Sequence, residues 1–205
     1  MPGELPPSLA TASAAQNANT SGAVQAAKTV TVSLRFAAKN TTIGLIQRVL
    51  AAEVRLPGVS GFDLLDSERG LWGVGAVLVN RVASRRFPNT FEAVIKQKGQ
   101  FAGFEDYPTV PSHIEKNISE LERLGNSKGE KVKLYREHLD NILFVAQKVL
   151  RRDSLDIFVP AGGPYAPTLF FRTTGSSNPF GDGRGTRVPE YRGSAGGNDF
   201  YAERP

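Results

Sequence analysis

Apolar residues recur every three or four positions in residues 41–55, TTIGLIQRVLAAEVR, which is the spacing of one helical face. Thr41 or Thr42 stands where a side chain can cap the first turn of such a helix. The predicted face comprises Ile46, Val49, Leu50 and Glu53. A carboxyl group on an apolar face loses water on folding, which disfavours its charged form and raises its pKa. Glu53 is therefore a candidate general acid, unless it turns outward and pairs with Arg55 or another surface cation.

A second helix is predicted over residues 68–84. These residues are apolar on almost every side, which is typical of a helix in the centre of a domain. Asp66 or Ser67 can cap its start. Gly73 and Gly75 lower the helix propensity of the stretch, which indicates that another element packs closely against them.

Further helices are predicted downstream. Residues 91–97 can form a short helix. Ser112 and Glu115 have the spacing of a capping box, and the apolar residues that follow recur at helical spacing. A longer amphipathic helix is predicted over residues 131–152, and the apolar stripes of these helices are interpreted as core-facing.

β-structure is predicted at only a few places. Residues 29–36, TVTVSLRF, alternate in polarity and form either a short strand or an extended lead-in. The glycine-punctuated residues 98–104, KGQFAGF, are predicted to form a hairpin or bent strand. Residues 157–160 and 168–173 are strand-like, and the aromatic pair at 200–201 is expected to dock on the core. The predicted fold class is α+β, mostly helical, with a small β element.

The start of the chain differs from the rest. Residues 1–28 are rich in Ala, Ser, Thr, Asn, Gly and Pro, with almost no large apolar side chain. Ordering them would cost more conformational entropy than their contacts could offset. The sequence therefore predicts a flexible tail over residues 1–28 and one folded domain over residues 29–205.

Composition excludes several kinds of chemistry. The chain has no cysteine, which excludes disulfides, a thiol nucleophile and cysteine-based zinc sites. His113 and His138 are the only histidines, and both are predicted to lie on the surface because their neighbours in sequence are charged or polar. Neither a catalytic triad nor a histidine-rich metal site is expected, and no metal or cofactor is predicted.

The charge favours polyanionic partners. The formal net charge of +5 and the pI near 9.6 fit nucleic acid, anionic membranes or bacterial wall polymers. The basic residues are scattered, so nucleic-acid binding is not predicted, and no apolar run is long enough to span a bilayer. No secretory signal is visible, so a wall-acting enzyme would be carried on a virion, exported by a dedicated secretion system, or have lost its signal.

Several stretches together resemble the SleB-type cell wall hydrolase family, the spore-cortex-lytic enzymes and related peptidoglycan-cleaving domains. Residues 73–95, GVGAVLVNRVASRRFPNTFEAVI, resemble the family's small and apolar run followed by N-R-V and F-P-N-T. Residues 98–104 are similar to its G-Q-F-S segment, residues 168–173 to its A-L-Y-F-H-N strand, and residues 196–201 to its G-G-H-V-F-Y segment. The acidic signature E-A-R-G-E corresponds to residues 53–57.

The chain departs from the family pattern in four places. Pro57 replaces the second glutamate of the acidic signature, and Phe170 replaces the strand tyrosine. Arg172 replaces the strand histidine, and Asn198 replaces the terminal histidine. The acid itself is retained, whereas the contacts to the glycan are expected to differ.

The resemblance implies a lysozyme-like fold and cleavage of peptidoglycan glycan strands, by a lytic transglycosylase or a muramidase. It implies that Glu53 protonates the glycosidic oxygen as the bond breaks. Acting alone, the deprotonated acid would accept the proton of the sugar's own C6 hydroxyl, and an anhydro ring would form. If Asp63, Asp66 or Glu68 instead holds a water, the outcome is hydrolysis.

The resemblance also implies which residues contact the glycan. These are Gln100, Phe101, Phe170, Tyr201 and Asn80. For Asn80 a second interpretation, a buried structural hydrogen bond, stays open. The alternative function is a wall-binding or structural module without turnover, in a phage particle or secretion apparatus. The replaced positions keep that alternative open.

Overall fold

The computed structural model describes residues 33–153, 155–158, 167–175 and 190–202. Within these ranges the chain forms α1 (Thr42–Glu53), α2 (Leu64–Ala83), α3 (Phe91–Ile95), α4 (Ser112–Gly125), a 3₁₀ turn (Glu130–Val132), α5 (Lys133–Leu150), β1 (Thr168–Thr173), β2 (Glu190–Ala195) and β3 (Asn198–Ala202). The predicted α+β, mostly helical architecture is confirmed. The predicted tail, residues 1–28, lies outside the described residues.

Helix α1 begins where the sequence predicts. The Thr41 side chain accepts the Gly44 N–H at 3.1 Å and caps the first turn. The predicted inward face is confirmed, because Ile46, Val49 and Leu50 have no exposed surface. Ahead of the helix, residues 33–38 form an extended lead-in rather than a strand, and residues 29–32 lie outside the described ranges.

Helix α2 begins at Leu64 rather than at residue 68. Its N-cap is Asp63, whose carboxylate accepts the Asp66 N–H at 2.7 Å. The prediction of Asp66 or Ser67 as the cap is therefore wrong, because a residue further upstream supplies the same chemistry and lengthens the helix.

The close packing predicted at the α2 glycines is confirmed. A Cβ atom on Gly73 would come within 2.5 Å of the Phe200 ring, and one on Gly75 would come within 2.9 Å of Val149. Glycine lets β3 and α5 pack directly against the α2 backbone, which places α2 in the centre of the core.

The other helix ends also shift. Helix α3 ends at Ile95, before the predicted residue 97. Helix α4 has no capping box, because Ser112 is already its first residue and Glu115 pairs with Lys39. Helix α5 covers only part of residues 131–152, since the 3₁₀ turn precedes it. No helix in the described ranges combines the length and apolar character needed to cross a membrane.

Residues 98–104 form consecutive turns rather than the predicted hairpin or bent strand. The Glu105 carboxylate accepts the N–H groups of Gly99 and Gly103, both of which have positive φ. These local hydrogen bonds satisfy backbone groups that a strand would offer to a partner strand.

The three strands form one antiparallel sheet in the order β1-β3-β2. Strand β1 is at the predicted position, and Phe200 in β3 is fully buried, which confirms the predicted docking of that residue. Ile157 and Phe158 lie in a turn rather than in a strand, whereas residues 159–160 lie outside the described ranges.

A two-residue turn joins β2 to β3. Its residues, Gly196 and Gly197, have φ values of 60° and 87°, which residues with a side chain rarely adopt. A Cβ atom on Gly70 of α2 would approach the Gly196 Cα to 2.7 Å. The turn therefore packs directly on the backbone of α2.

His138 of α5 is fully buried, so the prediction that it lies on the surface is wrong. Its Nδ1 atom lies 3.1 Å from Ser67 Oγ, and its ring meets Phe62 edge-on at 5.7 Å. Because the Ser67 hydroxyl donates to the Arg55 carbonyl, Nδ1 carries the imidazole proton and donates to Oγ. Among the described residues, nothing hydrogen-bonds to its Nε2 atom. Burial lowers the pKa of His138 to about 4.

Candidate active site

Glu53 is the last residue of α1, and its half-buried side chain lines a pocket of about 190 Å³. The remaining walls are the preceding residues of α1, Ala102 and the first turns of α4. The helix ends here because Val54 is extended. Because Glu53 lies on the apolar face of α1, its carboxyl group is at the edge of the core rather than in bulk water.

The surroundings of Glu53 favour its protonated form. Burial raises its pKa from 4.5 to about 7, and the positive charge of Arg81 opposes part of this rise. The partial negative charge at a helix C-terminus also disfavours a carboxylate there. Among the described residues, no hydrogen bond or ion pair holds the carboxyl group. The group can therefore exchange a proton near neutral pH with whatever occupies the pocket.

The Arg55 side chain does not pair with Glu53. Its Nη1 atom donates to the Gly61 carbonyl at 2.8 Å, which directs the guanidinium to the loop that follows α1. The outward-facing interpretation of Glu53, in which it pairs with Arg55, is not observed.

Arg81 of α2 is a buried cation beside this acid. Its Nε atom donates to the Leu169 carbonyl at 2.8 Å, while its Nη1 atom is buried without a hydrogen-bond partner in the described ranges. Burial lowers the pKa of Arg81 to about 10, and the charge of Glu53 opposes this. The guanidinium lies over three rings, at 5.1 Å from Phe87, 5.5 Å from Phe101 and 5.9 Å from Phe170. The charge of Arg81 stabilises the carboxylate that Glu53 becomes after giving up a proton.

The turn between β2 and β3 holds the end of α1 in place. Asn198 Nδ2 donates to the Glu53 carbonyl at 2.6 Å, and the Arg55 N–H donates to the Gly196 carbonyl at 3.1 Å. The Gly196 N–H in turn donates to Asp66 Oδ2 at 2.9 Å. These bonds fix the backbone that carries the acid from a segment far along the chain.

The other acidic candidates lie apart from Glu53. Asp63 caps α2, and Asp66 binds the β2–β3 turn. Neither of them lines the Glu53 pocket, and nor does Glu68. Among the described residues around this pocket, Glu53 is the only carboxylic acid.

Gln100 and Phe170 line a second pocket of about 380 Å³, which Arg81 also borders. Residues 99–102 separate the two pockets, since Gln100 faces the second and Ala102 the first. Phe101 has no exposed surface and packs against Phe171, so its side chain offers a glycan no contact area in this structure.

Asn80 and Tyr201 are held by structural contacts. Asn80 Nδ2 donates to the Thr168 carbonyl at 3.0 Å and to Asp156 Oδ2 at 3.2 Å, as the structural interpretation of Asn80 expects. The hydroxyl group of the buried Tyr201 accepts a hydrogen bond from Arg172 Nε at 2.7 Å. Neither side chain lines either pocket.

Sequence reasoning missed three residues around the acid. Arg81 lies in the largely apolar stretch that predicted only a buried helix, and His113 and Asn117 enter the pocket from α4. The one local signal is that His113 and Asn117 are four positions apart, so that they share a helical face. Within the described ranges, no three His, Cys, Asp or Glu side chains gather to hold a metal ion.

Residues 65–152 match the family model described as Cell Wall Hydrolase, which confirms the resemblance to the SleB-type cell wall hydrolases. The matched range runs from the start of α2 past the end of α5, so it includes Arg81 and α4. It includes neither Glu53 nor the sheet. No curated protein and no solved structure matches the chain.

Proposed function

We propose that this protein is a cell wall hydrolase that cleaves the glycan strand of peptidoglycan, with Glu53 as the single general acid and base. The family match supports peptidoglycan hydrolysis in general. The observation that carries the glycosidic reaction is the Glu53 carboxyl group, which opens to a pocket and has a pKa of about 7. A group with this pKa can donate and then recover a proton at neutral pH.

In the first step the protonated Glu53 gives its proton to the glycosidic oxygen. The bond between that oxygen and the anomeric carbon breaks, and positive charge develops on the sugar ring. The new carboxylate is negative beside this developing charge. Arg81 stabilises the carboxylate from the protein side, so the charge formed during bond cleavage has a partner already in place.

In the second step the Glu53 carboxylate accepts the proton of the C6 hydroxyl of the same sugar. The C6 oxygen bonds to the anomeric carbon, which closes a 1,6-anhydro ring and returns Glu53 to its acid form. If a water molecule reacts instead, the product is a reducing sugar. The absence of a second carboxylate among the described lining residues favours the anhydro product.

The test is digestion of purified wall sacculi, with the sugar ends identified by mass spectrometry. The parent protein is expected to release anhydro ends, and Glu53→Gln is expected to lose at least about 10² to 10⁴-fold in rate. The matched control is Glu68→Gln, which changes a carboxylate outside the pocket and is expected to retain activity.

Two results would overturn the proposal. Cleavage by Glu53→Gln at the parental rate would remove the acid from the mechanism. A parent protein that binds sacculi without releasing sugar ends would be a wall-binding module, the second function considered for this chain. If reducing ends are released in place of anhydro ends, Glu53 keeps its role as general acid, and water replaces the C6 hydroxyl in the second step.

A further inference from the structure

Helix α4 supplies the polar wall of the Glu53 pocket. His113 and Asn117 are exposed, lie one turn apart on α4 and line the pocket. Neither side chain makes a hydrogen bond within the described ranges. An amide and an imidazole without protein partners can together offer both donors and acceptors to a ligand.

The rest of the pocket is apolar and small. Its apolar surface comes from Ala51, Ala52, Ala102, Ile114 and Ile118. Its volume of about 190 Å³ is below the roughly 300 Å³ at which pockets for whole small molecules begin. The pocket therefore accommodates a substituent rather than a complete saccharide. That substituent has an apolar end and a polar part near the mouth.

We infer that this pocket binds the N-acetyl group of the amino sugar at the cleaved bond, and that Asn117 and His113 make it specific for N-acetylated glycan. The inference rests on the proposed function. The acetyl methyl contacts the alanine and isoleucine side chains. The Asn117 amide and the His113 ring hydrogen-bond the carbonyl and N–H of the acetamido group.

Two alternatives fit the same pocket less well. An anionic substituent is disfavoured because Glu53 itself becomes negative during the reaction. A de-N-acetylated sugar leaves the apolar floor uncovered and offers no carbonyl, so polar groups lose their partners on binding. The pocket thus distinguishes wall glycans by acetylation, which is a choice of substrate separate from the chemistry of Glu53.

Binding is tested on the Glu53→Gln protein by titration calorimetry with two probes, tetra-N-acetylchitotetraose and fully de-N-acetylated chitotetraose. We expect the acetylated probe to bind at least about tenfold more tightly. Asn117→Ala is expected to weaken only the acetylated probe, roughly five- to tenfold, as the loss of one hydrogen bond predicts. Ser119→Ala, also exposed on α4, is the matched control and is expected to change neither affinity.

Ala102→Leu provides a second variant that leaves all hydrogen-bonding groups in place. Its larger side chain fills the pocket and is expected to remove the preference for the acetylated probe. Equal binding of both probes by the Glu53→Gln protein, or no binding of the acetylated probe, would overturn the inference. Equal weakening of both probes by Asn117→Ala would also overturn it. Because binding is measured without turnover, these outcomes are separate from failure of the cleavage assay.

Discussion

Glu53 and His138 are two titratable groups that lose water on folding, with opposite consequences. Burial moves each group toward its neutral form, so that the pKa of Glu53 rises to about 7 and that of His138 falls to about 4. The Glu53 side chain lines a pocket, and its carboxyl group has no hydrogen-bond partner among the described residues. His138 is fully buried in the core and is hydrogen-bonded to Ser67. Access, and not the size of the pKa shift, makes Glu53 a candidate for proton transfer, whereas His138 is a structural group.

The two groups also limit stability from opposite sides of the pH scale. The folded pKa of Glu53 is raised, so its contribution to stability is present below pH 4.5 and is lost as pH rises through about 7. The folded pKa of His138 is depressed, so its contribution is present above pH 6.5 and is lost as pH falls through about 4.

The largest expected effect tests the sealed group. His138→Phe replaces the imidazole by a ring that cannot be protonated, so the variant should lose less stability in acid than the parent. Below pH 6.5, the difference between the two unfolding free energies should change by about 1.4 kcal/mol per pH unit. Urea titrations from pH 7 to pH 4.5 measure it. If the curves of His138→Phe and the parent run parallel over this pH range, the account of His138 is contradicted.

The next largest effect is that of the Arg81 charge on the pKa of Glu53. Arg81→Met removes the charge that favours the Glu53 carboxylate, so the alkaline limb of the pH–rate profile should move to higher pH. The maximal rate should fall at least about tenfold, the change that roughly 1.4 kcal/mol produces. Arg81→Lys should restore part of both quantities. If the limb does not move, Arg81 acts only on the structure.

A smaller effect concerns the folding stability that is lost when Glu53 ionises in the folded protein. In the parent at pH 8, Glu53 is ionised although its surroundings disfavour the charged form. Glu53→Gln removes this charge, so the variant should have a higher melting temperature than the parent at pH 8. At pH 4 the two should melt alike. The expected gain is a few °C, since about 1 kcal/mol shifts Tm by roughly 2–4 °C in a chain of this size. A lower melting temperature at pH 8 would show that the carboxylate is stabilised after folding.

The smallest expected effect shows whether the substrate reaches beyond the Glu53 pocket. Gln100→Ala should lower kcat/KM about fivefold, the loss of roughly one hydrogen bond, if the glycan crosses residues 99–102 into the second pocket. Its melting temperature should not change, because the side chain is exposed. Unaltered kinetics would confine the substrate to the Glu53 side of that segment.

Local pattern was sufficient for the elements whose determinants are local. The α1 face and its Thr41 cap follow from periodicity and one hydroxyl, and the glycines of α2 indicated close packing. Cap prediction failed where neighbouring residues offered the same chemistry, as with Asp63 in place of Asp66. Strand β2 was not predicted, because EYRGSA is largely exposed and contains Gly193.

The site itself was only partly predictable. Glu53 lies on an apolar face and could be found from spacing, but the residues that shape its chemistry come from other elements. Arg81 and Asn117 approach it through tertiary packing. The spacing of Asn117 and His113 indicates a shared helical face but not what that face contacts. His138 has polar neighbours in sequence, and its burial results from the packing of α5 on Ser67 and Phe62. Spacing along the sequence was sufficient to place Glu53 on an apolar helical face, whereas the pocket around it follows only from the fold.

The bond from Asn198 to the Glu53 carbonyl has a consequence for the order in which the protein becomes complete. It joins residues 145 positions apart, so the ribosome makes the acid-bearing helix long before the strand that fastens it. Until β3 has been synthesised and paired, the end of α1 lacks the hydrogen bond from Asn198. A translation product that ends before β3 therefore contains Glu53 without this hydrogen bond. Formation of the site is thereby coupled to translation of the last described strand.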